Sequence, residues 1–132
     1  MKDLTNLLFE TNAFNIAQEN KPFWYTSEKI GPYFVNGEFF YGSDADSKEL
    51  LAFIDSELEN ETKENIPAHI FEKVLAHYNS NEIYQTTIDA MVEYIKETVN
   101  VENIDYISGG ERRDWFFSNM IAYILEKPHV TI

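Results

Sequence analysis

The sequence contains no cysteine, so disulfide bonds, thiolate metal sites and a cysteine nucleophile are all excluded. The absence of cysteine fits a reducing compartment, and we expect a cytoplasmic protein. No apolar run approaches the roughly 20 residues that a membrane span requires. The first residues also lack the continuous apolar core of a secretion signal. We therefore expect no membrane partner.

Positive charge is also scarce. Ten Lys and Arg residues stand against 23 Asp and Glu residues, which gives a formal net charge of −13 and argues against a broad nucleic-acid-binding surface. The only two arginines, Arg112 and Arg113, are adjacent and follow a pair of glycines. Lys21 and Lys29 flank an aromatic segment. Isolated cationic positions in an acidic protein indicate a small anionic ligand.

Hydrophobic spacing predicts five helices and at least three strands in a chain whose length suits one domain. The predicted helices cover residues 3–9, 47–58, 66–78, 83–95 and 114–125. The predicted strands cover residues 33–41, 104–107 and 129–132. We interpret the apolar stripes of the helices as core, because an amphipathic surface helix needs such a stripe in any case.

The strand–helix–strand order at the end of the chain predicts a parallel crossover, which is the unit of an α/β sheet. We expect one domain over residues 1–132, with an aromatic segment at 1–42, a helical segment at 43–100 and the crossover at 101–132. A parallel sheet usually continues beyond two strands, so we expect this chain to be part of a larger domain.

The segment between the second predicted strand and the last helix is the first candidate site. Glycines at the end of a strand let main-chain N–H groups approach a ligand, and the following helix start favours an anion. Arginine adds paired donors for phosphate. The alternative is a tight turn whose arginines pair with Glu111 and Asp114. The candidate residues are Ser108, Gly109, Gly110, Glu111, Arg112 and Arg113.

The aromatic segment 22–36 is the second candidate site. Its rings, hydroxyl groups and Lys29 surround a Gly-Pro turn, a combination that suits a planar heterocycle stacked on an aromatic face. The alternative is an aromatic edge hairpin that packs on the core. The three histidines are scattered, and we expect His69 and His77 to lie on the surface, too far apart to share a metal ion.

These two segments together resemble orotate phosphoribosyltransferases, members of the type I phosphoribosyltransferase family. The stretch Phe-Trp-Tyr-Thr-Ser-Glu-Lys-Ile-Gly-Pro-Tyr-Phe-Val-Asn at 23–36 resembles the N-terminal motif of that family. The stretch Ser-Gly-Gly-Glu-Arg-Arg-Asp-Trp-Phe-Phe-Ser at 108–118 is similar to its pyrophosphate loop, most closely in a divergent Firmicutes-like branch. The two motifs occur in the expected order and span the chain.

The resemblance implies an α/β fold: the N-terminal part of a phosphoribosyltransferase-type parallel sheet flanked by helices, with an aromatic N-terminal hood. It implies transfer of a phosphoribosyl group from 5-phosphoribosyl diphosphate to orotate, with Mg²⁺ bound to the substrate, in a homodimer. Residues 108–113 would bind pyrophosphate, and no catalytic residue is assigned. The orotate side would be lined by Ser27, Lys29, Tyr33, Phe34 and Asn36.

The chain also departs from the family pattern. Thr26, Glu28 and Gly31 stand where many relatives have Lys, Gly and Ser. The family's diphosphate-sugar signature is absent and would lie beyond Ile132. Two other functions therefore stay open: a phosphoribosyltransferase for a different base, and a non-catalytic binding or interaction module.

Overall fold

Five α-helices form most of the regular secondary structure in the computed structural model, which describes residues 3–131. All five were predicted from hydrophobic spacing, and their ends differ from the predicted ends by a few residues. No helix in the described part of the chain is both long and apolar enough to cross a membrane. The helices are α1 (Thr5–Glu10), α2 (Asp44–Asn60), α3 (Ile66–Tyr78), α4 (Glu82–Thr98) and α5 (Trp115–Ile124).

Six short strands pair into three two-stranded sheets. Two sheets are antiparallel and lie in the N-terminal segment, where β1 pairs with β4 and β2 pairs with β3. The third is the predicted parallel pair, β5 with β6, which α5 connects. The strands are β1 (Phe14–Ile16), β2 (Phe23–Trp24), β3 (Ile30–Gly31), β4 (Tyr33–Val35), β5 (Ile107–Gly109) and β6 (His129–Thr131).

The α/β class is therefore confirmed, whereas no sheet with more than two strands occurs among residues 3–131. The predicted last strand corresponds to β6, and its final residue, Ile132, lies outside the described residues. Strand β1 was not predicted. A segment of three residues is too short to show an alternation of polar and apolar side chains, and the strand depends on its pairing with β4.

The predicted strand at 33–41 is wrong beyond its first third. Strand β4 ends at Val35, and Gly37–Tyr41 forms a 3₁₀ helix instead. This turn buries the Tyr41 ring, whose centroid lies 4.7 Å from that of Tyr84 and 5.2 Å from that of Phe116. Burial of a large ring outweighs the strand propensity of the aromatic segment.

The predicted strand at 104–107 is also displaced. The observed strand β5 begins at Ile107, because Val101–Asn103 forms a 3₁₀ turn whose start is capped by Asn100. The Asn100 side chain accepts a hydrogen bond from the Glu102 N–H at 3.1 Å. The strand consequently extends through Ser108 to the first glycine of the loop.

Helix α5 lies at the centre of the hydrophobic core, with seven of its ten residues buried. It packs against the parallel strands on one side and against α3 and α4 on the other. The Tyr84 hydroxyl on α4 donates a hydrogen bond to the Phe116 carbonyl, so a polar group carried into the core is satisfied there. This packing fixes the start of α5, and with it the end of the glycine loop.

His69 keeps a surface position, with its side chain 39% exposed, and both early histidines contact other elements. His69 Nδ1 lies 2.5 Å from a Glu57 carboxylate oxygen and links α3 to α2. His77 Nε2 lies 2.5 Å from the Tyr41 carbonyl oxygen, and its ring stacks on the Tyr41 ring at 3.9 Å. Both histidines are partly buried and form contacts between elements.

The link between His69 and Glu57 predicts a pH-dependent stability. The hydrogen bond with Glu57 raises the pKa of His69 above its ordinary value, and nearby Glu61 and Glu72 add to the effect. A raised pKa in the folded state contributes stability below about pH 6.5 that is lost as the pH rises through the raised pKa. We expect the thermal unfolding midpoint to fall between about pH 6 and pH 9 by more in the wild type than in His69→Gln.

Circular dichroism melts of the two proteins at matched ionic strength measure this difference. Burial lowers the pKa of His129, which acts in the opposite direction, but this group is present in both proteins and cancels in the comparison. Equal pH dependence in wild type and His69→Gln would show that the pair contributes nothing to folding.

Candidate functional site

The glycine loop, which comprises residues 109–113, connects β5 to α5. Gly109 is buried, and a Cβ atom placed on it would lie 2.6 Å from Ser118 Oγ and 2.7 Å from Trp115 Cδ1. The space beside this residue is therefore already filled by the first turns of α5. A side chain at position 109 would push the loop away from the helix, so glycine keeps the strand end and the helix start in close contact.

Several main-chain N–H groups of the glycine loop find no acceptor within residues 3–131. Glu111 donates its N–H to the Asp114 carboxylate at 3.3 Å. By contrast, Gly110, Arg112 and Arg113 donate to no carbonyl of the described residues. These groups lie just before α5, where the helix adds a partial positive charge. Unpaired N–H groups at a helix start can bind an anion.

The two arginines extend in different directions and pair with carboxylates from other elements. Arg112 forms an ion pair with Asp55 on α2. Arg113 Nε lies 3.4 Å from Glu38 Oε1 in the 3₁₀ helix before α2. The sequence alternative, pairing with Glu111 and Asp114, names the wrong partners. All four paired side chains remain partly exposed to solvent.

A second set of polar groups lies behind the glycine loop. Ser118 Oγ on α5 and His129 Nε2 on β6 are 2.8 Å apart, and His129 Nδ1 lies 3.3 Å from Thr131 Oγ1. Burial lowers the pKa of His129, which favours the neutral imidazole. The neutral ring can bond both hydroxyl groups and so connects the end of the sheet to the helix.

A cleft of about 500 Å³ opens beside the glycine loop. Its polar wall is formed by loop residues together with Glu38, and its apolar wall comes from the 3₁₀ helix, α4, α5 and the residue that precedes α1. The polar wall carries three carboxylates, on Glu38, Glu111 and Asp114, and one cation, Arg113, so an anionic ligand would have to bind through Arg113 and the loop N–H groups. The residues that line the apolar wall are Leu4, Phe40, Met91 and Phe117.

A larger cavity of about 610 Å³ lies between α2 and α3, away from the glycine loop. Its charged side chains already pair with one another: Lys73 Nζ lies 3.0 Å from Glu49 Oε1, and His69 bonds Glu57. The smaller cleft is the better candidate site, because it adjoins the glycine loop.

The structure divides the five upstream site residues among different positions. Ser27 and Lys29 lie in the exposed turn between β2 and β3. Tyr33 and Phe34 are neighbours on β4 and therefore point to opposite faces of the ribbon formed with β1. Asn36 follows directly after this strand and donates its main-chain N–H to the Ala13 carbonyl at 2.8 Å.

Ring contacts distinguish the two faces of that ribbon. Tyr33 stacks on Phe14 with 5.7 Å between ring centroids, whereas the Phe34 ring lies 5.9 Å from the Phe23 ring of the β2–β3 hairpin. Tyr33 and Phe34 therefore cannot stack on the same flat ligand. Phe34 and Asn36 are two positions apart on extended backbone and share the other face.

The two predicted sites are not joined directly. Among the described residues, no hydrogen bond or ion pair connects residues 27–36 with residues 108–113. The link is made by Glu38, which follows the aromatic segment and pairs with Arg113. Within residues 3–131, no three His, Asp or Glu side chains are grouped so that they could hold a metal ion.

Sequence reasoning did not identify several residues that build the site. Asp55 and Glu38 are far from the arginines in the chain, and nothing in their local sequence distinguishes them from other acidic residues. The contact between Ser118 and His129 depends on the parallel pairing of β5 and β6. In the sequence, the only indication of this contact was a serine one turn after Trp115 on the predicted helix.

Comparison with known proteins gave no match to a protein-family model, to a curated protein or to a solved structure.

The tight packing at Gly109 predicts a selective loss of stability. Gly109→Ala forces Cβ against Ser118 and the buried Trp115 ring, and overpacking of this kind costs about 1–3 kcal/mol of unfolding free energy. Gly37→Ala is the matched control, because no atom lies within 4 Å of the added Cβ. We expect its effect to stay within about 0.5 kcal/mol. Urea denaturation measures both, and equal stability of the two variants would contradict the tight contact.

Proposed function

We propose that the chain carries the pyrophosphate-binding part of an orotate phosphoribosyltransferase. The observation that supports this most strongly is the glycine loop, in which two arginines and three N–H groups without an acceptor among residues 3–131 precede α5 at the end of a parallel strand. Ligands of open α/β sheets bind at the carboxyl ends of the strands, which is where this loop lies. The motif resemblance and the loop geometry support the same ligand, a diphosphate.

The ion pairs of the arginines are compatible with this role. Partly exposed ion pairs contribute roughly 0–1 kcal/mol each, so exchanging a carboxylate for a diphosphate costs little. Phosphate accepts two parallel hydrogen bonds from a guanidinium group and carries more charge than a carboxylate. We propose that Asp55 and Glu38 keep Arg112 and Arg113 beside the loop and release them to the ligand.

For the base side, we propose that orotate stacks on the face of the N-terminal ribbon that carries Phe34. Phe23 extends this face, and Asn36 supplies an amide that can bond the edge of a heterocycle. Ser27 and Lys29 in the adjoining turn complete the proposed set. Tyr33 belongs to the opposite face, so it is the least favoured of the five residues for contact with the base.

The proposed reaction forms a bond between an orotate ring nitrogen and C1 of the ribose while the bond from C1 to pyrophosphate oxygen breaks. The ring nitrogen gives up its proton to solvent. Positive charge develops on the ribose, and pyrophosphate leaves with the electron pair. The loop residues would bind and orient the leaving group, so their contribution is positioning and charge stabilisation. The products are orotidine 5′-monophosphate and pyrophosphate.

The proposed reaction includes Mg²⁺ carried by the diphosphate, where it would neutralise negative charge. This fits the residues present, because Glu111 and Asp114 are exposed carboxylates at the loop that could each supply an oxygen to the ion. Magnesium keeps most of its oxygens from substrate and water in such sites. We further propose that the complete protein is cytoplasmic and a homodimer, and that β5 and β6 belong to a wider phosphoribosyltransferase sheet.

The loop hypothesis predicts that this chain binds pyrophosphate through its arginines. Isothermal titration calorimetry with magnesium pyrophosphate measures the affinity of the wild type, Arg112→Ala and Arg113→Ala. Loss of a charge-assisted contact should weaken binding about tenfold or more in each arginine variant. Orotate affinity should change less.

Lys48→Ala is the matched control for the loss of one positive charge. Lys48 forms an exposed ion pair with Asp44 at 2.7 Å, and it belongs to neither proposed ligand site. Its pyrophosphate affinity should equal that of the wild type. If all three variants bind alike, or if the wild type binds no pyrophosphate, the loop is an ordinary turn and the proposed function is wrong.

Turnover tests the choice of base and the choice of ribbon face. We expect orotidine 5′-monophosphate from orotate but no nucleotide from uracil or hypoxanthine, measured with protein expressed from the complete reading frame. Phe34→Ala should raise the orotate KM about tenfold, as expected for loss of a base-stacking contact, whereas Tyr33→Ala should change it little.

Each outcome of that comparison distinguishes one function from another. Preference for uracil or a purine would assign the chain to a phosphoribosyltransferase for a different base. Absence of turnover and of binding to any of these ligands would favour a non-catalytic interaction module. A larger effect from Tyr33→Ala than from Phe34→Ala would place the base on the opposite ribbon face.

A further inference from the structure

Trp115, the first residue of α5, carries a buried polar group without a partner. Its side chain is only 5% exposed, yet its indole Nε1 makes no hydrogen bond, and it is the only buried side-chain nitrogen or oxygen of residues 3–131 in this condition. The indole N–H can only donate, so it cannot be satisfied by rearranging protons. A buried donor without an acceptor is unfavourable, and proteins retain very few of them.

This donor lies beside the glycine loop. A Cβ atom on Gly109 would lie 2.7 Å from Trp115 Cδ1, and Cδ1 is bonded directly to Nε1. The edge of the indole that carries the N–H therefore faces the main chain of the buried glycine. Glycine at position 109 allows this approach, because any side chain would occupy the space between the strand end and the ring.

Neighbouring acceptors are already engaged elsewhere. Ser118 Oγ bonds His129 Nε2 at 2.8 Å, and the Asp114 carboxylate accepts the Glu111 N–H at 3.3 Å. The Trp115 carbonyl accepts from the Asn119 side chain at 3.0 Å, which helps to hold the first turn of α5 in place. The five-membered ring of the indole, which includes Nε1, is thus packed against Gly109 at the point where β5 ends and the loop begins.

We propose that Trp115 Nε1 donates a hydrogen bond to an oxygen of the anionic group bound by the glycine loop. This inference rests on the proposed function and assigns a further binding residue to the same site. The ligand class is a phosphate or diphosphate oxyanion, because the adjoining loop supplies the N–H groups of Gly110, Arg112 and Arg113, which find no acceptor in the described part of the chain. Since Nε1 is shielded from solvent, the outer loop residues must shift when the anion binds.

Nuclear magnetic resonance tests this hydrogen bond through the chemical shift of the indole N–H proton. The chain has two tryptophans, and Trp24 is 76% exposed in the β2–β3 hairpin, so its indole signal is an internal control. Trp24→Phe assigns the two signals. We expect magnesium pyrophosphate to shift the Trp115 indole proton downfield and to leave the Trp24 signal in place, whereas sodium chloride at equal ionic strength should shift neither.

A shape-conserving replacement tests the energetic contribution. Replacing Trp115 by β-(3-benzothienyl)alanine exchanges the N–H for sulfur and preserves the bicyclic ring, while Trp115→Phe removes the donor with a smaller ring. We expect the benzothienyl protein to bind pyrophosphate about tenfold more weakly than the wild type, as for loss of one hydrogen bond to a charged acceptor. Without ligand it should be at least as heat-stable, because it lacks the unpaired donor.

The outcomes separate this inference from the proposed function. If the wild type binds pyrophosphate while the Trp115 signal stays in place, or if the benzothienyl protein binds equally well, Trp115 is not a ligand-binding residue and the loop assignment stands. If the wild type binds no pyrophosphate, both are wrong. If Trp115→Phe fails to fold, the wild-type spectra and the benzothienyl protein still decide the question.

Discussion

Burial of α5 is the constraint on which the rest of this structure depends. An apolar helix of this kind must be covered on nearly every side, and α3, α4, the 3₁₀ helix at Gly37–Tyr41 and the parallel strands cover it. The hydroxyl of Tyr84 donates a hydrogen bond to the Phe116 carbonyl in the interior, which links α4 to α5. The position of the glycine loop depends on α5, because Gly109 packs directly on the first turns of this helix.

The sequence predicted the elements whose signal is local. Helices α2, α3 and α4 were found because residues such as Leu50, Ile54 and Ile88 recur with helical spacing and are indeed buried. The strands were predicted less well, since Tyr41 leaves the strand in order to pack against α4 and α5. Whether a segment forms a strand depends on contacts with residues distant in the chain, and a single sequence does not show which residues these are.

The same distinction holds for the candidate site. The order Gly-Gly-Glu-Arg-Arg indicated an anion loop, and the structure places that loop between a strand end and a helix start. The acidic partners of the arginines could not be predicted, because Asp55 and Glu38 are brought close only by packing of α2 and the 3₁₀ helix. The unpaired indole N–H of Trp115 could not be predicted either, because the sequence indicates that Trp115 is a core residue but not whether its N–H finds an acceptor.

The local pairing of β5 and β6 has a consequence for how the chain folds. Strand, helix and strand follow one another without a long excursion, so their mutual contacts close short loops and cost little chain entropy. The contacts that cover the other side of α5 come from Tyr41 and Tyr84, much earlier in the sequence. The apolar surface of α5 therefore leaves water completely only when these distant segments have packed against it, so burial of the site helix depends on long-range contacts.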